Sequence, residues 1–307
     1  MKLKIIQNRK YYYIFSIVLF VISVFSLIAW GLKPGLDFTG GSLLDVSFEP
    51  SRPNVQEIRS AMQPLALGDL VIQPASDKDM ILRFKTVDEP THQKILATLN
   101  SKFSSTTTNA TVKEQRFESV GPVIGKELEK KAWIAILLAS LAIILYVAYA
   151  FRKVSRPVAS WKFGVSAIIA LIHDITIVAG LFSILGHFAG IEIDSLFITA
   201  LLTILGFSVH DTIVVFDRTR ENLSKHYSGS FEEVVNDSVN QTITRSINTS
   251  LTVLLVLLTL YLLGGASIKN FVLALLFGIA IGTYSSIFVA SPVIVDWNIF
   301  SKRIKAK

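Results

Sequence analysis

The chain contains no cysteine, which excludes a disulfide framework, a thiolate metal site and a cysteine nucleophile. Only 17% of its 307 residues are charged and 51% are hydrophobic, whereas a typical soluble protein carries about 25% charged residues. The sequence also lacks a P-loop, a zinc-protease helix motif and a serine-hydrolase nucleophile motif. The composition therefore indicates a membrane protein, and we expect no enzymatic chemistry, no cofactor and no metal site.

Six long apolar runs follow one another along the chain. Each has about the 20 residues that an α-helix needs to cross ~30 Å of hydrocarbon. They cover residues 11–30, 132–151, 163–185, 195–216, 242–263 and 271–295. The first run follows a basic N-terminus but is longer than the apolar region of a secretory signal, and no small-x-small cleavage site precedes Lys33. We therefore predict an α-helical integral membrane protein with six spans, the first an uncleaved anchor.

Basic residues are unevenly distributed among the short segments that flank the runs. The N-terminus, the segments after the second and fourth runs, and the C-terminal tail carry three or four Lys or Arg each. The short loops 186–194 and 264–270 together carry only Lys269. By the positive-inside rule, both termini are predicted to be cytoplasmic. The segment between the first two runs is then predicted to lie on the outer side.

This outer segment has the composition of a soluble α+β domain. Residues 42–48, 70–73, 80–84 and 111–117 resemble strands, and residues 55–65 and 91–103 have helical spacing. The order β-α-β-β-α-β predicts a ferredoxin-like domain. Residues 104–111 are polar and predict a loop. We accordingly divide the chain into residues 1–33 (N-terminus and first span), 34–125 (extracytoplasmic domain), 126–300 (spans two to six) and 301–307 (basic tail).

The fourth span carries His210 and Asp211, and the fifth carries Arg245 at a similar distance from the shared loop. An aspartate at the centre of a membrane helix costs roughly 2.5–3.5 kcal/mol, so such a residue usually faces a bundle interior and is often functional. Spans joined by this loop are expected to be antiparallel neighbours. We therefore formulate the hypothesis of an inward-facing Asp211–Arg245 pair. The alternative for Arg245 is that it extends to the cytoplasmic headgroups.

Arg245 also begins a polar stripe on the fifth span. Asn248, Thr249 and Thr252 follow it at the i+3, i+4 and i+7 positions of one helix face. Their presence deeper along the helix favours a buried role for Arg245. The alternative is that they form interhelical hydrogen bonds that serve packing alone.

The third span carries His173 and Asp174 near the predicted midplane of the membrane. Adjacent residues point about 100° apart on a helix, so these two need not act as a pair. Two acids and two histidines in one membrane domain can nevertheless form a proton relay. For His210, the alternative is a hydrogen bond beside the acid. On the sixth span, Gly278, Gly282 and Ser285-Ser286 predict a close approach to another helix.

Several motifs together resemble the SecD/SecF family. The sequence GLDFTGG at residues 35–41, after the first span, is similar to the family signature G-x-D-F-x-G-G. Further similarity lies at residues 120–122, 206–221, 245–250 and 263–265. The six spans and the single outer domain match the family plan from end to end. One departure is His210, because relatives typically have asparagine there.

The resemblance implies a subunit of an accessory complex of the bacterial Sec translocase, related to the proton-driven RND exporters. It implies a location in the cytoplasmic membrane and use of the proton motive force to help pull unfolded preproteins outward. SecD would supply the other half of a twelve-span bundle in the lipid. The SecYEG translocon would be a further partner, and YajC is a candidate partner. The resemblance implies no binding of nucleic acid.

The resemblance also assigns roles to individual residues. Asp211 and Arg245 fall on the family's membrane acid and arginine that are implicated in proton flow, and we expect protonation of Asp211 to weaken their pairing. Asp37, Gly40 and Gly41 fall on a junction motif that links the first span to the outer domain. The alternative for this motif is turn chemistry at a sharp membrane exit.

Two other functions are considered. The first is an RND-like proton-coupled exporter of small or lipid substrates, which predicts a hydrophobic channel in the outer domain. About 90 residues make a small domain for that purpose. The second is a purely structural assembly subunit without a proton path, for which Asp211→Asn should still rescue a deletion strain.

Overall fold

The computed structural model describes residues 3–104, 110–150, 159–224 and 229–305. Most of the predicted loop at 104–111, and several of the bases used to predict orientation, lie outside these ranges. The chain divides into two compact units. The helical unit comprises Met1–Lys33 and Trp133–Lys307, and the α/β unit comprises Pro34–Ala132.

The helices and strands are numbered in chain order. Within the described residues the α-helices are α1 (Arg9–Ala29), α2 (Leu36–Thr39), α3 (Val55–Met62), α4 (Glu89–Phe103), α5 (Pro122–Ala150), α6 (Ser160–Ala189), α7 (Ser195–Ser224), α8 (Phe231–Leu263), α9 (Lys269–Ser285) and α10 (Ser291–Lys305). A π-helical turn (Ser286–Ala290) joins α9 to α10. The strands are β1 (Gly41–Glu49), β2 (Val71–Pro74), β3 (Asp79–Phe84) and β4 (Thr111–Val120).

Within the described ranges, six helical segments are long and apolar enough to cross a membrane, which confirms the predicted number of spans. Several are longer than their apolar runs. Helix α5 begins at Pro122 rather than at residue 132, so the predicted domain boundary at residue 125 lies inside a helix. Helix α8 begins at Phe231 rather than at residue 242. Its start is fixed by a capping box, in which Ser230 Oγ accepts from the Glu233 N–H and Glu233 Oε2 accepts from the Ser230 N–H at 2.8 Å.

The described part of the α/β unit has one four-stranded antiparallel sheet in the order β2-β3-β1-β4. The elements follow one another as β-α-β-β-α-β, as predicted from the sequence. Strand β3 lies between β1 and β2, as in a split β-α-β arrangement. The short helix α2, which immediately precedes β1, was not predicted.

Alternation along β1 determines which side of the sheet forms the core of this unit. Ser42, Leu44, Val46 and Phe48 are buried, whereas the intervening residues are only partly covered. The apolar members pack in one cluster with residues of α3 and α4. Helix α4 starts where Asp88 Oδ1 accepts a hydrogen bond from the Thr91 N–H at 3.1 Å. Hydrogen bonds from Thr91 also lower the pKa of the Asp88 carboxyl.

Small residues bring the helices of the helical unit into close contact. An added Cβ at Gly278 would lie 2.2 Å from Ile204 Cδ1, and one at Gly282 would lie 3.0 Å from Ser208 Cβ. These contacts between α9 and α7 confirm the predicted close helix approach. They also bring the polar residues at the end of α9 to the centre of the bundle.

Candidate functional site

The carboxylate of Asp174 on α6 is fully buried and accepts hydrogen bonds from two other helices. Oδ2 accepts from Ser208 Oγ of α7 at 2.6 Å and from Ser285 Oγ of α9 at 2.7 Å. Three helices therefore meet at this side chain. A buried carboxylate in a membrane protein requires such partners, because no water is available in the hydrocarbon to replace them.

His173 contacts the same carboxylate from within α6. Its Nδ1 lies 2.9 Å from Asp174 Oδ1. The two side chains therefore do interact, although their Cβ atoms point in different directions on the helix. His173 Nε2 is buried and has no hydrogen-bond partner within the described part of the chain. The ring also lines a cavity of about 320 Å³ beside Tyr13 and Phe20 of α1.

The carboxylate of Asp211 on α7 lies at a junction with α8 and α9. The side chain is only 2% exposed. Hydroxyls close to it include those of Thr283 on α9 and of Ser250 and Ser246 on α8. Oδ2 of Asp211 and Oγ of Ser246 are both buried without a hydrogen-bond partner among the described residues. Asp211 Oδ2 can therefore accept a further hydrogen bond, and the Ser246 hydroxyl has a donor that no described group accepts.

A short stretch near the end of α9 lies close to both acids. Thr283 lies beside Asp211, and Ser285 donates to Asp174. The π-helical turn begins at the next residue, Ser286, whose Oγ donates to the Ser208 carbonyl at 3.2 Å. π-Helical turns inside a helix frequently occur at functional sites. We call the two acids, with His173 and the hydroxyls of Ser208, Ser246, Ser250, Thr283 and Ser285, the carboxylate–hydroxyl cluster.

Arg245 does not belong to this cluster. Among the described residues no salt bridge joins Arg245 to Asp211, so the hypothesis of this pair is wrong within the chain. Arg245 is exposed, whereas Ser246 and Ser250 are buried. These serines lie one and five positions after Arg245, about 100° and 140° away around the helix, and occupy the side that faces Asp211.

The other residues of the predicted stripe share the orientation of Arg245. Asn248, Thr249 and Thr252 are exposed on the single chain. His210 is also exposed, about 100° around α7 from the buried Asp211. The structure therefore brings together Asp174, His173 and the hydroxyls around Asp211, and leaves Arg245, His210 and the stripe on the surface of the bundle.

Sequence reasoning missed the hydroxyls that surround Asp211. Thr242, Ser246 and Ser250 recur at i, i+4 and i+8, which is a second stripe on α8 and is buried. The i, i+4, i+8 spacing of these hydroxyls, on the span that follows the one carrying Asp211, was the signal in the sequence. We interpreted the stripe that begins at Arg245 instead, because a charged residue in a membrane helix is rarer than a serine.

The predicted junction motif packs against the start of α5 within the α/β unit. Gly40 has a φ of +71°, and an added Cβ would lie 2.9 Å from Pro122 Cα. From the other side, a Cβ at Gly125 would lie 2.9 Å from the Phe38 carbonyl oxygen. Asp37 lies in the first turn of α2, directly before this contact. Gly41 has a φ of +121°, and an added Cβ would lie 3.0 Å from the Phe84 carbonyl oxygen, so neither glycine has room for a side chain.

We expect Gly40→Ala to destabilise the α/β unit by about 2–3 kcal/mol. The backbone conformation is unfavourable for alanine, and the methyl group meets the main chain of Pro122, which cannot move independently of α5. Thermal unfolding of the purified protein measures the effect. Gly68→Ala is the matched control, because Gly68 has a φ of +76° but its nearest contact would be an ordinary 3.5 Å. Equal losses for both variants would contradict a special role for the contact with α5.

The fold and the carboxylate–hydroxyl cluster define a multi-pass membrane protein with a small α/β domain and ionisable groups in the interior of its helical bundle. Residues 100–299 match the family described as protein export membrane protein SecD/SecF, C-terminal. Residues 25–51, which include Asp37, Gly40 and Gly41, match the SecD/SecF GG motif. The chain therefore belongs to the SecD/SecF family of protein-export membrane proteins.

Relatives and solved structures agree with this assignment. The protein translocase subunit SecF of Thermobaculum terrenum is 44% identical, over 96% of this chain and 93% of the relative. That of Anaerolinea thermophila is 40% identical, over 96% and 94%. The crystal structure of SecDF, a translocon-associated membrane protein from Thermus thermophilus, matches with a TM-score of 0.80 at 33% identity. The match covers 97% of this chain but only 39% of the SecDF chain, so this chain spans about two fifths of that structure.

Proposed function

We propose that the chain is a subunit of a Sec-dependent protein translocase that uses a proton gradient to drive preprotein export. The observation that carries the proposal is the environment of Asp211, a buried carboxylate in a membrane span with an unpaired Oδ2 beside an unpaired Ser246 hydroxyl. An ionised carboxylate in this position requires hydrogen-bond donors, whereas a protonated one is itself a donor. The two protonation states therefore favour different positions of α8 relative to α7.

The mechanism we infer is a movement of helices and involves no bond-making chemistry. When Asp211 is ionised, the Ser246, Ser250 and Thr283 hydroxyls turn toward it and draw α8 and α9 inward. When Asp211 is protonated, this attraction is lost and the helices relax. A gradient that alternately protonates and deprotonates Asp211 thus shifts the population between two arrangements of the bundle.

Asp174 and His173 provide a second place where a proton can reside. Asp174 already has donors from Ser208 and Ser285, and Ser208 lies one helical turn before Asp211. His173 Nε2 is the end of the cluster that borders the cavity at α1. We infer that His173 and Asp174 exchange protons with the Asp211 side of the cluster through these hydroxyls.

The exposed stripe on α8 supports an interface with a second membrane chain. Polar side chains on a membrane helix are expensive to expose to lipid and are normally covered by protein. The solved SecDF structures contain more than twice the length of this chain. We infer that SecD covers Arg245, Asn248, Thr249 and Thr252, and that the pair lies in the bacterial cytoplasmic membrane with both termini of this chain in the cytoplasm. SecYEG, the unfolded preprotein and YajC remain further proposed partners.

We expect the double variant Asn248→Leu/Thr249→Leu to weaken binding of the SecD partner by about sevenfold, through the loss of two hydrogen bonds. Each interhelical hydrogen bond in a membrane is worth roughly 0.6 kcal/mol, and a tenfold change in affinity corresponds to about 1.4 kcal/mol. The amount of partner recovered across a detergent dilution series measures the loss. The conservative variant Asn248→Gln/Thr249→Ser should retain binding. Unchanged recovery of the partner with the leucine variant would refute this interface.

The test of the function is reconstitution with the partner and the translocon in vesicles. Preprotein release is measured with no gradient, with a pH gradient and with a sodium gradient of the same magnitude. We expect acceleration by the pH gradient and its loss when a protonophore is added. Release that is unaffected by the pH gradient would contradict the proposal. Acceleration by the sodium gradient alone would show that sodium, and not the proton, is the coupling ion.

The alternative of an exporter of small or lipid substrates has less support. In the described part of the α/β unit, the cavity beside Lys102 is lined by polar side chains apart from Phe103, and the cavity beside Gln63 has polar and apolar side chains in equal number. Neither lining is the predominantly hydrophobic one that an apolar substrate requires.

A further inference from the structure

The segment before α1 packs against α8 and α10, two helices that come late in the sequence. We call residues 3–8 the N-terminal segment. Ile5 is 3% exposed and Ile6 is completely buried, in a cluster that also contains Phe231 and Val235 of α8 and Ile294 of α10. Burial of two isoleucines by a chain end provides a substantial stabilising contact. The segment is therefore an integral part of the fold.

Two asparagines of α8 bind the main chain of this segment. Asn236 Oδ1 accepts from the N–H groups of Ile5 and Ile6 at 3.0 and 3.2 Å, and its Nδ2 donates to the Leu3 carbonyl at 3.1 Å. Asn240 Oδ1 accepts from the Leu3 N–H, and its Nδ2 donates to the Leu3 carbonyl, both at 2.8 Å. The two asparagines lie one helical turn apart and so face the segment together. In each side-chain amide the oxygen accepts and the nitrogen donates a hydrogen bond. This pattern favours asparagine at both positions.

Charged groups extend the contact to the first turn of α1 and to α10. Arg9 Nε donates to Asp296 Oδ1 at 2.8 Å, and Arg9 Nη1 donates to Glu232 Oε1 at 3.2 Å. Tyr13 Oη donates to the other oxygen of Asp296 at 2.9 Å. Helices α1, α8 and α10 are thus joined through one arginine and one aspartate. Together with the asparagine contacts, these bonds form what we call the N-terminal clasp.

Helix α8 extends from the clasp to the carboxylate–hydroxyl cluster. Ser246 follows Asn240 by six residues and Ser250 follows Asn236 by fourteen, which corresponds to about 9 Å and 21 Å along a helix. Helix α1, at the other side of the clasp, continues in sequence into residues 30–33 and then the junction motif. The clasp therefore connects the helix that carries the hydroxyls at Asp211 with the helix that leads to the α/β unit.

We propose that the N-terminal clasp transmits movements of α8 to α1, with Asn236 and Asn240 as positioning residues for proton-driven work. This inference rests on the proposed function and goes beyond it, because it assigns a mechanical connection to residues far from the acids. When α8 shifts at Ser246 and Ser250, the asparagines carry the N-terminal segment, and hence α1, with it. If the clasp is open, α8 can move at Asp211 without displacing α1.

The experiment compares the double variant Asn236→Leu/Asn240→Leu with the unmodified protein in complex with its partner. Leucine has a similar volume but cannot bind the main chain of the segment. The absence of cysteine from this chain allows specific spin labels at Lys4→Cys and Ile247→Cys, which are exposed positions outside the stripe assigned to the partner. We expect a broader distance distribution between the labels in the double variant. We also expect a fall in proton-driven preprotein release of about tenfold, with complex formation retained.

Two further variants separate the clasp from general damage. Asn236→Asp, with Asn240 intact, keeps the acceptor for the Ile5 and Ile6 N–H groups but loses the donor to the Leu3 carbonyl, so we expect release between that of the double variant and that of the unmodified protein. Gln7→Leu makes a similar polar-to-leucine change at an exposed position of the same segment and should have no effect.

Each outcome bears on the proposal. Unchanged label distances in the double variant would overturn the clasp, and broadened distances with normal release would overturn the coupling. A loss for Gln7→Leu as large as for the double variant would also overturn it. If release by the unmodified complex ignores the pH gradient, the proposed function fails, while the label distances still decide whether the clasp exists.

Discussion

Asp211→Asn should reduce the gradient-dependent part of preprotein release by roughly two orders of magnitude, the loss typical of removing a positioned proton-transfer group. Asparagine has nearly the same shape as aspartate but cannot bind and release a proton near neutral pH. The amide can still hydrogen-bond with the hydroxyls of Ser246, Ser250 and Thr283, so the bundle should fold with α8 held in one position. Release in reconstituted vesicles, measured with and without a pH gradient, gives the effect directly.

The matched control is Asp217→Asn on the same helix. Asp217 is exposed at the polar end of α7 and pairs with Arg220 at 2.8 Å, so the substitution removes an equivalent charge outside the carboxylate–hydroxyl cluster. An exposed pair of this kind contributes little to stability. We expect normal gradient dependence for this variant. If Asp211→Asn also retains normal gradient dependence, the proton-binding role of Asp211 is refuted and the structural-subunit alternative is favoured.

The number of spans and the element order of the α/β unit could be predicted because both depend on patterns along the chain. An apolar run of about 20 residues has few uses other than crossing a membrane. In the α/β unit, the alternation Ser42, Leu44, Val46, Phe48 reflects one wet and one buried side of a strand. Helix ends were predicted less well, since α5 and α8 continue for several turns beyond their apolar residues.

The orientation of α8 could not be predicted from the same kind of pattern. In water, the apolar side of a helix faces the protein, but in a membrane both the lipid and the protein interior accept apolar residues. Arg245 and the residues that follow it therefore suggested an inward stripe, whereas the buried stripe contains Thr242, Ser246 and Ser250. The position of a serine hydroxyl next to Asp211 depends on the packing of three helices, which spacing within one helix does not specify.

Helix α1 also buries polar residues and exposes large apolar ones. The buried residues of this helix are Ser16, Ser23 and Ser26, whereas large apolar residues such as Ile14 and Phe25 are exposed. The small serines allow the backbone of α1 to approach α6 closely. Ser26 Oγ donates to the Gly180 carbonyl at 3.0 Å, and Ser183 Oγ donates to the Ser26 carbonyl at 2.8 Å. Close packing and hydrogen bonds, not apolar burial, hold this pair together.

Gly180→Ala should therefore destabilise the helical unit by about 3 kcal/mol, the upper part of the range for overpacking. An added Cβ would lie 2.3 Å from Ser23 Cβ and 2.5 Å from Ser23 Cα. The second contact is with main chain, so no side-chain rotation can relieve it and the two helices must separate. Separation also breaks the hydrogen bonds at Ser26 and Ser183. The free energy of unfolding, measured by denaturing-detergent titration in mixed micelles, gives the size of the effect.

Gly164→Ala on the same helix distinguishes the crossing from a general effect of alanine. An added Cβ at Gly164 would meet its nearest neighbour, Val147 Cγ1, at an ordinary 3.8 Å. Alanine is also the better helix former, so this variant should be neutral or slightly stabilising. A small loss at Gly180 would mean that α1 can move away from α6 at little cost. In that case α1 would not be held rigidly enough to transmit movements of α8 to the α/β unit, and the coupling through the N-terminal clasp would fail with it.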